Sequence, residues 1–171
     1  MFAFEPSVYA RSILKPALAW NRLSHVEIVP MGLSDADGQL VLHTPIKKRG
    51  GIGFGLANLG GDQDGRPSMT QTVDLTTLDG FFAGKGLTRL DFIKADVEGW
   101  EAHVLRGGMK TLAAHKPAMF LEVVEASLAR AGSGSKEIWE RLTPLGYRAL
   151  KAPAFQPVDA FSGDGDYLFV A

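Results

Sequence analysis

Short apolar segments alternate with amphipathic segments along most of the chain. Apolar or alternating runs predict strands at residues 1–5, 25–34, 39–44, 69–75, 89–97, 117–124, 147–152 and 166–171. Apolar residues at helical spacing predict helices at residues 6–21, 76–86, 99–115 and 135–146. Residues 45–68 show no clear period and predict a long loop. This alternation predicts an α/β fold with a largely parallel sheet, in a single domain over residues 1–171.

Local signals predict where these elements begin, bend and end. Ser7 is expected to cap the first helix, and Pro16 to kink it or end it early. Gly107 and Gly108 predict a bend in the helix at 99–115, because each glycine costs about 1 kcal/mol relative to alanine. The turn at 35–38 predicts a hairpin between the strands that flank it. A capping residue and a glycine stop are predicted for the last helix at Ser135 and Gly146.

Composition excludes several classes of function. A net charge of −1 provides no electrostatic basis for binding nucleic acid or an anionic membrane. The absence of cysteine excludes a disulfide scaffold, a thiolate nucleophile and a cysteine zinc site, and the four histidines lack ligand spacing. No apolar run approaches the roughly 20 residues of a membrane helix, and the first residues lack signal-peptide features. We therefore expect a cytoplasmic protein without nucleic-acid, membrane or metal partners.

Carboxylates follow two of the predicted strands. Asp96 and Glu98 come at the end of the strand at 89–97, in the stretch DFIKADVEGWE. Because parallel sheets bind ligands outside the carboxyl ends of their strands, these acids either face a ligand or cap the following helix. Glu5 also ends an apolar strand and precedes a proline. Its two carboxylate oxygens suit the vicinal hydroxyls of a ribose, and the alternative is an exposed acid in a turn.

Three further features each leave two interpretations open. The glycine-rich stretch at 49–65 does not fit G-x-G-x-x-G, so it is a flap over a binding site or a disordered loop. His103 either approaches a bound acceptor or lies on the surface. Glu122 and Glu125 either line an acceptor pocket or are solvated at a strand end. Core or helix-packing positions, rather than a stacking platform, are predicted for the tryptophans Trp20, Trp100 and Trp139.

Several segments, in one order, resemble the FkbM-type family of S-adenosylmethionine-dependent methyltransferases. They include FAFEP, VEIVPMGLSDADGQLVL, TTLD, DFIKADVEGWEAHVLRGG and KPAMFLEV, and together they cover nearly the whole chain. The resemblance implies a Rossmann-like class I methyltransferase sheet, mostly parallel with an antiparallel C-terminal strand. The family hallmark resembles K-x-D-V-E-G-x-E-x-x-V-L-x-G, carried here by Lys94, Asp96, Val97, Glu98, Gly99, Glu101, Val104, Leu105 and Gly107.

The resemblance also implies roles for individual residues. Glu5 would hold the ribose of S-adenosylmethionine, while Ser34 and Asp35 would lie beside its adenine. Asp96 and Glu98 would face the sulfonium and the acceptor hydroxyl, where a carboxylate can help to remove the proton. The implied reaction is O-methylation of a small-molecule or glycan acceptor, such as a sugar, a polyketide or another small metabolite.

One departure from the family concerns the start of the chain. In the family, a first strand and a glycine-rich turn precede the acid that corresponds to Glu5, and they bind the amino-acid end of the cofactor. This sequence starts at the second strand, so we expect an N-terminally truncated sheet that binds S-adenosylmethionine weakly or not at all. The alternative function is an inactive remnant or interaction module. The hallmark and the absence of G-x-G-x-x-G argue against a dehydrogenase.

Overall fold

The computed structural model describes residues 1–45 and 68–171. The predicted loop at 45–68 and its glycine-rich stretch at 49–65 therefore lie almost entirely outside the described residues. The described chain forms two compact units, residues 1–76 and residues 77–171. The assignment of one domain to the whole chain stays a prediction.

The first unit begins with a parallel β-α-β arrangement. Strand β1 (Phe2–Phe4) leads into helix α1 (Val8–Trp20) and then strand β2 (Glu27–Val29), which pairs in parallel with β1. The predicted cap is confirmed, because Ser7 Oγ accepts a hydrogen bond of 3.2 Å from the Ala10 amide. The expected early end at Pro16 is wrong, since α1 continues past the proline to Trp20.

A three-stranded sheet completes the first unit. Its strands are β3 (Gly32–Ser34), β4 (Gly38–Pro45) and β5 (Ser68–Thr77), in the order β3-β5-β4. The predicted hairpin at 35–38 is wrong, because β5 lies between β3 and β4. The single strand predicted at 25–34 is instead divided at Pro30 into β2 and β3, which belong to different sheets. Proline has no amide hydrogen to donate to a ladder, which favours a break there.

The second unit contains most of the helices. Its helices are α2 (Leu78–Gly84), α3 (Glu101–Arg106), α4 (Met109–His115), α5 (Glu125–Arg130) and α6 (Ser135–Leu142), with a 3-10 turn at Thr143–Leu145. Its strands are β6 (Phe92–Ala95), β7 (Ala118–Val123), β8 (Arg148–Lys151), β9 (Gln156–Val158) and β10 (Gly165–Val170). Helix α5 and strand β9 were not predicted from the sequence.

The sheet of the second unit has the order β6-β7-β10-β8-β9. Only β6 and β7 pair in parallel within it, and the other three pairings are antiparallel. The antiparallel C-terminal strand is therefore confirmed as β10. The prediction of a mostly parallel sheet is wrong for the described residues, whose sheets are mixed. Strands β1 and β6 each pair with one neighbour in the described residues, and the predicted missing first strand stays a prediction.

One face of this sheet forms the core of the second unit. The ring of Trp139 meets the rings of Tyr167 and Phe169 edge-on, each at 5.1 Å between centroids. The core position predicted for Trp139 is confirmed, whereas Trp20 is 89% exposed and that part of the prediction is wrong. The most deeply buried side chains include Met119, Leu121, Val123, Leu128, Ile138, Leu142, Tyr167 and Phe169.

The predicted bend in the helix at 99–115 is a complete break between α3 and α4. A Cβ at Gly108 would lie 2.7 Å from Leu78 Cδ2, so a side chain there would have to displace Leu78 of α2. Asp79 then caps α4, since its Oδ1 accepts a 2.8 Å hydrogen bond from the Thr111 amide. The Asp79 amide in turn donates to the carbonyl of Gly107. Close packing and capping from α2 thus fix the break.

The start of α6 differs from its prediction. Gly134, not Ser135, is the capping residue, and as a glycine it has no side chain to cap the helix. Ser135 is the first helical residue, and its amide donates to Glu125 Oε2 at 3.0 Å. The predicted stop is confirmed, because Gly146 adopts a left-handed conformation with φ of 91°.

Candidate active site

The turn that follows β6 has an unusual backbone. Glu98 and Gly99 both have positive φ, at 54° and 97°, and the Trp100 amide donates back to the Val97 carbonyl at 3.1 Å. A Cβ at Gly99 would overlap the carbonyl group of Ser127, so no side chain fits there. The left-handed conformation at Glu98 is disfavoured for a residue with a side chain. Such local strain is often retained at functional sites.

A buried carboxylate accepts a hydrogen bond from the backbone of this turn. Glu101 is only 1% exposed, and its Oε1 accepts a 2.9 Å hydrogen bond from the Val97 amide. Burial raises the pKa of Glu101, although the nearby amides of Val97, Glu101 and Gly99 partly oppose that shift. The sequence pattern assigned Glu101 no role beyond the hallmark. The sequence did contain a signal for this role, because an acid in the first turn of a helix can accept hydrogen bonds from the free backbone amides that precede it.

Three acids lie in a row on neighbouring strands. Ala95 pairs with Leu121 at the carboxyl end of β6 and β7, which brings Asp96, the next residue, beside Glu122. Across the next ladder, Glu122 pairs directly with Asp166 of β10. Like charges directly opposite each other on a sheet are destabilising. On its outer side, Asp96 Oδ2 is 3.2 Å from Lys94 Nζ in an exposed ion pair.

This crowding changes how the acids titrate. Partial burial, repulsion from Asp96 and a hydrogen bond to Asp96 raise the pKa of Glu122 to about 7, with smaller contributions from Glu98 and Asp166. Burial and the charge of Asp96 also raise the pKa of Glu98, against the opposing charge of Arg130. Near neutral pH, Glu122 therefore exchanges between its protonated and its ionised form. In the ionised form it can accept a proton from a neighbouring hydroxyl group.

The sequence left the role of Glu122 open, and only the strand register shows its partner. The other open candidate, Glu125, does not join this group. Its Oε2 accepts the Ser135 amide, so it caps the start of α6. Glu125 also donates its own amide to Asp164 Oδ1 at 2.9 Å. The side chain of Glu125 is therefore a structural link between α5 and α6.

His103 is held within a network rather than lying free on the surface. Its ring stacks on Trp100 with 3.9 Å between centroids, and its Nε2 is 2.9 Å from the Ala131 carbonyl. Its Nδ1 is 3.2 Å from Arg106 Nη1, which can only donate. These contacts assign the neutral tautomer protonated at Nε2. With both ring nitrogens engaged, His103 positions α3 and is not a candidate for proton transfer.

In the first unit, Glu5 caps its own turn. Its Oε1 accepts a 2.8 Å hydrogen bond from the Ser7 amide, and its backbone amide donates to the Val29 carbonyl at 3.0 Å. No described residue donates a hydrogen bond to Oε2. The carboxylate is therefore fixed in orientation, and it retains acceptor capacity for a vicinal diol. Glu5 thus fits the ribose role that the resemblance implies.

The two residues predicted to lie beside the adenine are neighbours at the end of β3. Ser34 is 3% exposed, and its Oγ donates to Asp35 Oδ1 at 3.2 Å. Asp35 is exposed. The structure thus brings Ser34 and Asp35 together in the first unit, and Asp96 and Glu98 together in the second.

Metal-binding clusters and membrane-spanning helices are both absent from the described residues. Residues 1–45 and 68–171 contain no group of three or more acidic or histidine side chains arranged to hold a metal ion. In the same two ranges, no helix combines the length and the apolar character needed to cross a membrane.

Comparison with known proteins gives a family and a similar fold for this chain. The family model described as the methyltransferase FkbM domain matches residues 1–149. The crystal structure of an FkbM methyltransferase from Methylobacillus flagellatus KT has a TM-score of 0.57 with this chain, at 13% sequence identity. That match covers 99% of this chain and 36% of the other, so this chain spans about a third of its relative's length. No curated protein gives a significant match.

The match of the family model to residues 1–149 identifies a methyltransferase domain. The chain belongs to the FkbM methyltransferase family.

Proposed function

We propose that this chain is an S-adenosylmethionine-dependent O-methyltransferase domain that acts on a hydroxyl of a small-molecule or glycan acceptor. The observation that carries the proposal is the juxtaposition of Asp96 and Glu122 at the carboxyl ends of β6 and β7, where Ala95 pairs with Leu121. A proton acceptor is the one group that transfer to a neutral hydroxyl requires from the protein besides alignment.

When bound, S-adenosylmethionine supplies a methyl group already activated by a sulfonium. Transfer of that methyl group to the acceptor oxygen would leave the donor as a thioether and release the hydroxyl proton. The hydroxyl proton then passes to the carboxylate pair of Asp96 and Glu122. Glu98, held at positive φ beside this pair, contributes a further negative charge that favours the cationic donor.

The first unit supplies the groups proposed for recognition of the nucleoside. Glu5 accepts hydrogen bonds from the ribose hydroxyls, because the Ser7 amide already fixes its carboxylate. Ser34 and Asp35 lie beside the adenine, where their oxygens can accept from its exocyclic amine. These assignments rest on the family resemblance together with the local geometry of each residue.

The test is transfer of an isotopically labelled methyl group to a panel of hydroxylated metabolites and glycans. We expect Asp96→Asn and Glu122→Gln each to reduce turnover by about 10²–10⁴-fold, as is typical for loss of general-base catalysis. Asp91→Asn is the matched control, since Asp91 is an exposed acid whose carboxylate binds Arg89. Unchanged thermal midpoints would show that the losses are chemical.

The outcome also separates the proposal from its alternative. An inactive remnant or interaction module would transfer no methyl group to any acceptor, with or without the substitutions. Turnover that survives both Asp96→Asn and Glu122→Gln would contradict the proton-acceptor role while leaving methyl transfer intact. A protein that methylates nitrogen or carbon instead would contradict the O-methylation assignment.

A further inference from the structure

An open groove lies in the first unit between α1 and β2. Its volume is about 650 Å³, within the range of small-molecule sites. Three cationic side chains line it, from Arg11, Lys15 and Arg22. Arg11 and Lys15 are four residues apart on the same side of α1, and Arg22 follows the end of that helix.

The remaining wall of the groove is apolar. Leu18 of α1, Leu23 of the following loop, and Val26 and Ile28 at β2 form its main hydrophobic surface. No acidic side chain is among the described residues that line it. The groove therefore combines a positive rim with a hydrophobic floor, which is the complement of an amphiphilic anion.

The three cations have no counter-charge in the described part of the chain. Arg11 Nη1 donates to the carbonyls of Glu5 and Pro6 at 2.8 and 2.7 Å, and both acceptors are neutral. These bonds fix the guanidinium but do not neutralise it. The side chains of Lys15 and Arg22 make no hydrogen bond or ion pair with any described residue. Like charges gathered in this way repel one another unless an anion joins them.

Arg22 also occupies a position where its backbone is disfavoured. At the end of α1 the Leu23 amide donates to the Leu18 carbonyl, and the Arg22 amide donates to the Ala19 carbonyl. This is the Schellman arrangement, in which the residue at the place of Arg22 is usually glycine. Arg22 takes the left-handed conformation with φ of 56°. A charged side chain at a position that favours glycine has a cost in backbone energy, and this cost indicates that the side chain has a function.

We propose that this groove binds an alkyl carboxylate, with its carboxylate between Lys15 and Arg22 and its hydrocarbon chain on Leu18, Leu23 and Ile28. Arg11, fixed by the two carbonyls, extends the positive rim. A carboxylate can accept hydrogen bonds from both an ammonium and a guanidinium. Binding of a carboxylate can be measured without methyl transfer, so the test does not depend on that activity.

The first experiment is an NMR titration of the whole chain with decanoate. Decyltrimethylammonium has the same hydrocarbon chain with the opposite charge, and butyrate has the same head group with little hydrocarbon. We expect decanoate to bind about tenfold more tightly than either control, with amide shifts concentrated at the groove residues Lys15, Leu18, Arg22, Leu23 and Ile28. Equal binding of decanoate and decyltrimethylammonium would overturn the proposal. So would shifts centred on the exposed stripe of Tyr9, Ile13 and Trp20.

The second experiment uses a substitution that separates binding from stability. Arg22→Gly removes the charge but relieves the left-handed strain, so the thermal midpoint should rise while decanoate affinity falls about tenfold. Lys116→Gly is the matched control, because Lys116 also has positive φ, at 45°, at the end of α4. It should raise the midpoint without changing affinity. Unchanged affinity in Arg22→Gly, or equal losses in both variants, would refute the assignment.

Discussion

Gly99 lies directly against the carbonyl group of Ser127, so that the turn after β6 and the helix α5 approach without a side chain between them. Gly99 also has a φ of 97°, which residues with a side chain rarely adopt. The contact therefore combines two independent requirements for glycine at one position.

Replacement of Gly99 should be strongly destabilising. We expect Gly99→Ala to lower the free energy of unfolding by about 2–4 kcal/mol, because backbone strain adds to overpacking against Ser127. Gly132→Ala is the matched control, since Gly132 has a similar φ of 74° but open space where a Cβ would lie. It should cost about 1 kcal/mol from the left-handed conformation alone. Denaturant unfolding measures both, and equal losses would contradict the packing argument.

Glu122 should make the protein less stable as the pH rises towards neutrality. Its pKa is raised to about 7 in the folded protein, so folding favours the protonated carboxyl. The resulting stabilisation is complete below the usual pKa of 4.5 and is lost as the pH rises through about 7. After allowance for solvent screening we expect a change of about 1 kcal/mol. Unfolding curves from pH 4 to 8 should show it, and Glu122→Gln should flatten the profile.

Glu137 should produce the opposite dependence at acid pH. Hydrogen bonds from Arg106 at 2.6 and 2.8 Å, with a further one from Arg141, lower the pKa of Glu137 to about 2. Its contribution to stability is complete above pH 4.5 and is lost as the pH falls towards 2. We expect about 1–2 kcal/mol at neutral pH after screening.

The measurement is acid denaturation of Glu137→Gln beside the parent chain. Glu140→Gln is a suitable control, because Glu140 makes an exposed ion pair of 3.4 Å with Lys136 on the same helix. Exposed pairs of this kind contribute little. An acid transition that Glu137→Gln leaves unchanged would show that the Arg106 contact has no net effect on stability.

Glu5 should affect cofactor binding more than its role in the local turn would suggest. Glu5→Gln can keep an acceptor for the Ser7 amide but loses the negative charge, so we expect affinity for S-adenosylmethionine to fall about tenfold. Glu5→Ala should weaken it further. NMR titration detects even weak binding, and Glu27→Gln, at an exposed acid on β2, is the control. An unchanged affinity of Glu5→Ala for S-adenosylmethionine would show that Glu5 does not bind the ribose.

Much of the fold could be predicted because its strands are apolar runs bounded by proline, glycine and charge. The missed elements lacked such signals. Helix α5 has only six residues, too few to show a helical period, and β9 contains Pro157, which argues against a strand. The wrong hairpin at 35–38 came from assuming that neighbouring segments pair. In the structure, β4 pairs instead with β5, which follows it in the sequence after residues 46–67.

The candidate site was predictable only in part, for a related reason. Acids at strand ends can be found along the sequence, as Glu5, Asp96 and Glu98 were. The pairing of Asp96 with Glu122 depends on the register between β6 and β7, which no local pattern encodes. The capping role of Glu125 likewise depends on where α6 begins. The electrostatic coupling between residues on separate strands could therefore be found only from the three-dimensional structure.

The buried carboxylate of Glu101 has a consequence for how such chains are recognised. It holds the turn, Gly99 gives that turn room, and Val104 and Leu105 are core residues. Most of the hallmark thus preserves a shape, and a descendant that had lost catalysis would still need it in order to fold. Searches based on that motif would therefore group catalytically active and inactive members together. The residues at positions 96 and 122 would distinguish active from inactive members better than Gly99 and Glu101 do.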